Sequence, residues 1–275
     1  MNKDTWLRVG IIALGTVLCV LLLIADKTNL NNESAATIGT PGAVATEAPR
    51  ASQLPPLAAD PQLDRWLDDL PETSGEAKVA LLDSIVVLLE SRRRLAYAAD
   101  YAAQQASLRP SALGLQLRAG VLSQQATELD YVQQDSAMLR RYREQGLRLL
   151  QPVVEAQPEN EAALLSLGLL RIQSAAPMQG ILTIRNVLDI NPDNLEASFR
   201  LGQFSLQTGQ FDKAQQRFEK VLSLDPSHQA ARYGLAVALS QLGQPEAARP
   251  LLQTVISEAD DPSLKQAARD LLGQM

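Results

Sequence analysis

The sequence predicts an all-α solenoid of stacked helical hairpins, and three rows of residues predict it. Pro158, Pro192 and Pro226 stand 34 residues apart, and a further step of 34 reaches Asp260, just before Pro262. Gly168, Gly202 and Ala236 keep the same step, and so do Leu167, Leu201 and Leu235. A fixed period of this length marks helix–turn–helix units that cannot bury their apolar faces alone and therefore stack.

Taken in chain order, the first element is the uncharged apolar run Val9–Ala25, with Arg8 before it and Asp26 and Lys27 after it. Its 17 residues meet the lower end of the roughly 17–25 needed to cross a bilayer. A single uncleaved transmembrane helix over 9–25 is expected, with a cleaved secretory signal as the competing reading. Leu22, Leu23 and Ile24 are large where a signal peptidase wants small side chains, and Leu18 replaces the small residue a lipoprotein signal carries before its cysteine, here Cys19. Lys3, Arg8 and the terminal amine outweigh Asp4, whereas Asp26 and Glu33 outnumber Lys27 on the other flank. The positive-inside bias then leaves residues 1–8 in the cytoplasm and the rest of the chain outside it. Residues 26–59, rich in Ala, Thr, Ser, Pro and Gly without periodicity, read as a flexible linker. A coil of that length would hold the domain on the order of 30 Å from the membrane.

Asp60 and Pro61 open a short helix through Trp66 and Leu70, expected to cap the first hairpin within 60–78. Five hairpins are expected next, over 79–112, 113–160, 161–194, 195–228 and 229–262. The fourth is the best formed: Ser198-x-x-Leu201-Gly202-x-x-Ser205, then Ala214-x-x-x-Phe218, then Pro226. Gly202 and Ala214 are small where the two helices approach, Phe218 fills the space between hairpins, and Pro226 is expected to start the next helix. Hairpin three offers Leu164, Leu167, Gly168, Gly180 and Ile184; hairpin five offers Leu235, Ala236, Leu239, Ala248 and Leu252. Hairpin two keeps the frame at Leu117 and Gly120 if some 14 residues are inserted, and hairpin one keeps it at Val86, Ala98, Ala102 and Pro110. Residues 263–275 complete the chain as a capping helix, with Leu264, Ala267, Ala268, Leu271 and Leu272 on one face.

The pattern of hairpin four resembles the tetratricopeptide repeat, W-x-x-L-G-x-x-Y…A-x-x-x-F…P, with Ser198 and Ser205 at the Trp and Tyr positions. The resemblance implies a right-handed superhelix of about five such hairpins. Together with the N-terminal run, it is similar to membrane-anchored repeat proteins of the bacterial envelope, with the solenoid on the periplasmic side of the inner membrane.

Composition bounds the chemistry. A net charge of −6 and a pI near 5.0 argue against a nucleic-acid surface. The single cysteine sits in the apolar run, so no intrachain disulfide forms. One histidine, His228, reads as a polar turn residue and cannot assemble a zinc site. No nucleophile elbow, phosphate loop or dinucleotide fingerprint occurs, so no catalytic residue, metal, cofactor or small-molecule substrate is expected. The acidic pairs Asp68–Asp69 and Asp260–Asp261 read as helix-end residues that cap and favour the macrodipole. Arg92, Arg93 and Arg94, and Arg140, Arg141, Arg143 and Arg148, form two basic clusters, readable as solvated helix faces or as docking points for anionic headgroups or an acidic partner. The insertion Thr127–Ala137 reads either as an extended helix pair or as a binding loop.

The resemblance further implies a concave groove lined by the first helix of each hairpin. Three rows would face it: Leu165, Phe199 and Tyr233; Leu169, Gln203 and Val237; Ile172, Leu206 and Ser240. Some members of the family clamp a terminal carboxylate with Lys and Asn at these places; Leu165 and Leu169 replace them, so a chaperone-type clamp is not expected. The alternative for the rows is burial between hairpins. The expected function is a scaffold or assembly factor binding a partner's helix or extended segment in this groove. A structural accessory subunit of a membrane complex and an apocytochrome-holding factor of cytochrome c maturation are the alternatives.

Overall fold

The structure is a computed structural model that describes residues 54–57 and 59–275. The expected transmembrane helix 9–25, and the linker up to residue 53, lie outside the described residues. Among the described residues every regular element is a helix, and no helix is long and apolar enough to cross a membrane. The linker ends earlier than expected. Leu54 is buried against the first hairpin, and the Tyr97 hydroxyl donates to the Pro55 carbonyl at 3.0 Å. Leu54 and Leu57, the apolar residues of this stretch, pack against the core.

Helix α1 (Pro61–Asp69) starts as the sequence predicts: the Asp60 carboxylate accepts from the Gln62 and Leu63 amides, and Pro61 occupies the first turn. Asp68 and Asp69 close this helix at its C-terminal end, so they oppose the macrodipole instead of favouring it. Hairpin one pairs α2 (Gly75–Ser91) with α3 (Leu95–Leu108). It begins before the expected residue 79, because α2 is 17 residues long and needs that length to bury Leu82, Ile85, Val86 and Leu89. The expected cap 60–78 therefore contains α1, a turn and the start of α2. Hairpin two pairs α4 (Leu113–Ala126) with α6 (Ser136–Ala156), the short α5 (Asp130–Gln133) lying between them. Hairpins three, four and five are α7 (Glu161–Ile172) with α8 (Pro177–Ile190), α9 (Leu195–Gln207) with α10 (Phe211–Leu224), and α11 (Gln229–Gln241) with α12 (Pro245–Glu258). Helix α13 (Pro262–Gly273) caps the end on Asp261, whose carboxylate accepts from the Ser263 amide.

Close approach of backbones explains the small residues. A Cβ on Gly180 would lie 2.6 Å from the Gly168 carbonyl oxygen, so α7 and α8 touch through two glycines. In hairpin two the equivalent pair is Gly120 and Gly146, 26 residues apart instead of 12, which places the 14 extra residues between them. A Cβ on Gly120 would meet Leu150 at 2.5 Å. Phe218 is fully buried, with its ring against Gly202 of its own hairpin and Gly234 of the next. It thus fills the inter-hairpin space as expected.

The proline row acts differently from the expectation for Pro226. Helix α10 stops at Leu224, and α11 begins only at Gln229. Pro226 therefore sits in the turn between hairpins, and Pro158 and Pro192 do the same. The physical reason lies one residue earlier. A residue before proline is driven out of the helical region, and Gln157, Asn191 and Asp225 hold φ near −135, −133 and −134°. Each becomes the C-cap that ends its helix. Pro262, by contrast, does occupy the first turn of its helix.

Candidate partner-binding groove

The inner row is built on the first helices of hairpins three to five. Their starts are fixed by a second periodic row, Asn160, Asn194 and His228, each 34 residues apart. Asn160 and Asn194 accept from the Ala163 and Ala197 amides at 3.0 and 2.9 Å, and His228 Nδ1 accepts from the Ala231 amide at 3.1 Å. His228 is thus an N-cap and not merely a turn residue. Its ring also lies 4.7 Å from that of Phe199. The 34-residue spacing of these caps was readable in the sequence.

Leu165 and Ile172 are half-buried against the core of hairpins three and four, and Phe199, Leu206 and Tyr233 against that of hairpins four and five. Gln203, Val237 and Ser240 are also half-buried. Leu169 departs from the row: it is 7% exposed and belongs to the core. Ile172 leans into its own hairpin, where a Cβ on Gly180 would meet it at 2.6 Å. Phe199 meets the Phe218 ring edge-on, with centroids 6.0 Å apart. The row is therefore shared between core and surface. Phe199 and Tyr233 are each partly buried and partly exposed, Phe199 being held between the Phe218 and His228 rings.

Arg200, next to Phe199 on α9, is a contact residue that no motif or period in the sequence marks. Its guanidinium pairs with Glu196 one turn back at 2.7 Å and with Glu128 of the hairpin-two insertion at 2.8 Å. This contact joins hairpin two to hairpin four, bypassing hairpin three. The two carboxylates outweigh the cost of burial and hold the Arg200 pKa above its usual value. No local spacing announces the pair, since its members are 72 residues apart.

The insertion is in part an extended helix pair: α4 runs six residues past Gly120 and α6 starts ten before Gly146, against four and three at Gly168 and Gly180. The short α5 folds between them in place of an open loop. Thr127 and Val132 are fully buried, and the Asp135 carboxylate caps α6 through the Ala137 and Met138 amides. The arginine clusters also divide into separate contacts. Arg92 pairs with Asp60 at 3.3 Å, Arg94 precedes α3 as its N-cap residue, and Arg143 donates to the Gln173 carbonyl at 2.8 Å. Arg141 lies over the Tyr142 ring and donates to both Asp100 oxygens at 3.0 and 2.8 Å. Burial raises the Asp100 pKa above the ordinary carboxylate range, with Arg141 opposing it. Arg140 and Arg148 stay exposed. Among the described residues no group of His, Cys, Asp and Glu is placed to hold a metal ion.

Residues 206–271, from the end of α9 into α13, match the tetratricopeptide repeat family. A tetratricopeptide repeat protein from Parabacteroides merdae superimposes with a TM-score of 0.58 at 16% identity, over 77% of this chain and 78% of that one. A MamA RS-1 double mutant gives 0.51 at 14% identity, over 72% and 99%. YrrB, described as a TPR protein with an unusual peptide-binding site, gives 0.48 at 20% identity, over 76% and 97%. No curated protein matches the chain. The fold is that of a tetratricopeptide repeat solenoid.

Proposed function

We propose that this protein is a non-catalytic interaction scaffold or assembly factor whose first helices dock a helix or extended segment of a partner protein. One observation carries the reading. Phe199 and Tyr233, one period apart on successive first helices, are each held half-buried against the core. Leu165, Leu206, Val237 and the Gln203 amide continue the row. Aromatic side chains fixed in this way are the usual anchors of protein interfaces, at roughly 2 kcal/mol or more each when a partner completes their burial. A periodic apolar strip with occasional amides suits an amphipathic helix or an extended chain. The uncharged run 9–25 and the charge bias around it support a further part of the proposal: an uncleaved helix anchors the protein in the inner membrane, and the solenoid faces the periplasm.

Affinity capture of the full-length protein from solubilised membranes, with mass spectrometry, tests the groove. The double variant Phe199→Ala, Tyr233→Ala is expected to keep its helical circular dichroism and lose the captured partner. Partner retention by the folded variant would remove the groove from the interaction. One fixed partner set would favour an accessory subunit of a complex, and many unrelated apolar chains a holding factor such as one for apocytochromes. A reporter active only outside the cytoplasm, fused after Met275, should be active; silence with intact expression would reverse the orientation.

A further inference from the structure

A second concavity lies on the other side of α9, between hairpins three and four. It is a cleft of about 490 Å³, walled by α8, α9 and α10, within the range of small ligand sites. Arg185, Lys213, Arg217 and Lys220 line it, and among the described residues no carboxylate does. In a chain of net charge −6 this is a local reversal of sign. Ile181 and Phe204 supply an apolar floor beside the cations.

The four cations are not equivalent. Lys220 is paired with Asp193, and Lys213 donates to the Gln210 side chain. Among the described residues Arg185 and Arg217 have neither an ion pair nor a side-chain hydrogen bond. Arg217 is half-buried, and burial together with the nearby charge of Arg185 pulls its pKa down. Two like charges held together, one of them partly desolvated, oppose each other until an anion enters. A guanidinium pair also matches the planar, bidentate geometry of a carboxylate better than ammonium groups would.

We propose that this cleft binds an acidic peptide segment of a partner protein, with Arg185 and Arg217 pairing a carboxylate and Ile181 and Phe204 receiving the apolar side chain beside it. The floor is what selects a peptide over a small anion, because an isolated anion would leave Ile181 and Phe204 uncovered. The site is separate from the row carrying Phe199, Gln203 and Leu206, which lies on the opposite face of α9 by helical geometry. It therefore succeeds or fails independently of the groove.

The test is fluorescence anisotropy of a short labelled peptide of alternating glutamate and leucine on the full-length protein. Saturable binding that weakens with added salt is expected. Arg185→Gln and Arg217→Gln should each raise Kd about tenfold or more, which is about 1.4 kcal/mol. Arg217→Lys should keep part of the affinity, and Arg269→Gln on α13, outside the cleft, should leave it unchanged. Because the two arginines repel, Arg217→Gln should not lower the melting temperature of the peptide-free protein. Equal binding of a glutamine–leucine peptide would overturn the proposal, as would equal loss from Arg269→Gln or undiminished binding by both arginine variants. Competition by inorganic phosphate at the peptide's own effective concentration would also overturn it, by showing a small-anion site. Unchanged binding by Phe199→Ala, Tyr233→Ala is expected, and its loss would move the peptide to the groove.

Discussion

Arg93 holds φ at +55°, the left-handed region where hairpins four and five place Gly209 and Gly243 at +70 and +74°. The turn is the same in all three. The Arg93, Gly209 and Gly243 amides donate back to Glu90, Leu206 and Ser240, and the next amides donate to Leu89, Ser205 and Leu239. These paired bonds are the Schellman ending of a helix. A side chain in that conformation costs about 1 kcal/mol relative to glycine. Arg93→Gly should therefore stabilise the protein by about that amount in denaturant unfolding, with no change in helical content. No gain would mean that Arg93 makes a compensating contact. Gly209 and Gly243 are one period apart, so the turn was legible in hairpins four and five; in hairpin one an arginine conceals it.

Between elements, the decisive contact is the Phe218 ring wedged from α10 into both α9 and α11. A Cβ at Gly234 would stand 2.6 Å from that ring. Gly234→Ala gains about 0.5–1 kcal/mol of helix propensity but overpacks a fully buried aromatic, which costs about 1–3 kcal/mol. The clash wins, so chemical denaturation should show a net loss of about 1 kcal/mol. A stabilised variant would mean that the ring has room to move. The α3–α6 contact through Asp100 and Arg141 responds to pH instead. The folded protein binds the Asp100 proton more tightly than the unfolded chain does, because burial raises its pKa. Its contribution is therefore complete below the ordinary carboxylate range and is lost as pH rises through the raised value. Thermal unfolding across that window should show the margin of wild type over Asp100→Asn shrinking as pH rises. A growing margin would mean that the Arg141 pairing dominates.

At the scale of the whole solenoid, the stack is uneven. First helices of neighbouring hairpins pack together at α4–α7 and at α9–α11 but less at α2–α4 and α7–α9, and hairpins three and four meet through α8 and a small shared core that includes Leu164, Leu169, Ala197 and Leu201. The junction of hairpins three and four carries the cationic cleft, and on α9 the buried Ser198 hydroxyl, at the position where the repeat pattern has tryptophan, has no partner among the described residues. Local opening follows thin packing, so hydrogen exchange should release the amides of α8 and α9 before those of α11 and α12. Uniform protection would show that the Glu128–Arg200 pair and the Glu161 contacts to Asn191 and Asn194 hold the junction as firmly as apolar packing holds the others.

The amino-acid sequence by itself determined the helical class, the 34-residue frame and the placement of Gly168, Gly180, Gly202, Ala214 and Phe218. Each of these follows from a requirement that recurs from hairpin to hairpin: two backbones must approach, and a large apolar side chain (Ile184, Phe218, Leu252) must fill the space beside them. Local chemistry also placed the capping helices, through Asp60–Pro61 and Asp261–Pro262. Tertiary structure alone decided which faces meet across hairpins. It buried Leu169 while leaving Phe199 and Tyr233 half-buried, brought Glu128 to Arg200, and set Arg185 of α8 beside Arg217 of α10 with no ion-pair partner among the described residues. Those outcomes depend on the offset between successive hairpins, which is set by the summed volumes of side chains at each junction. Ser198 and Gly234 change that volume by an amount that no periodic pattern records.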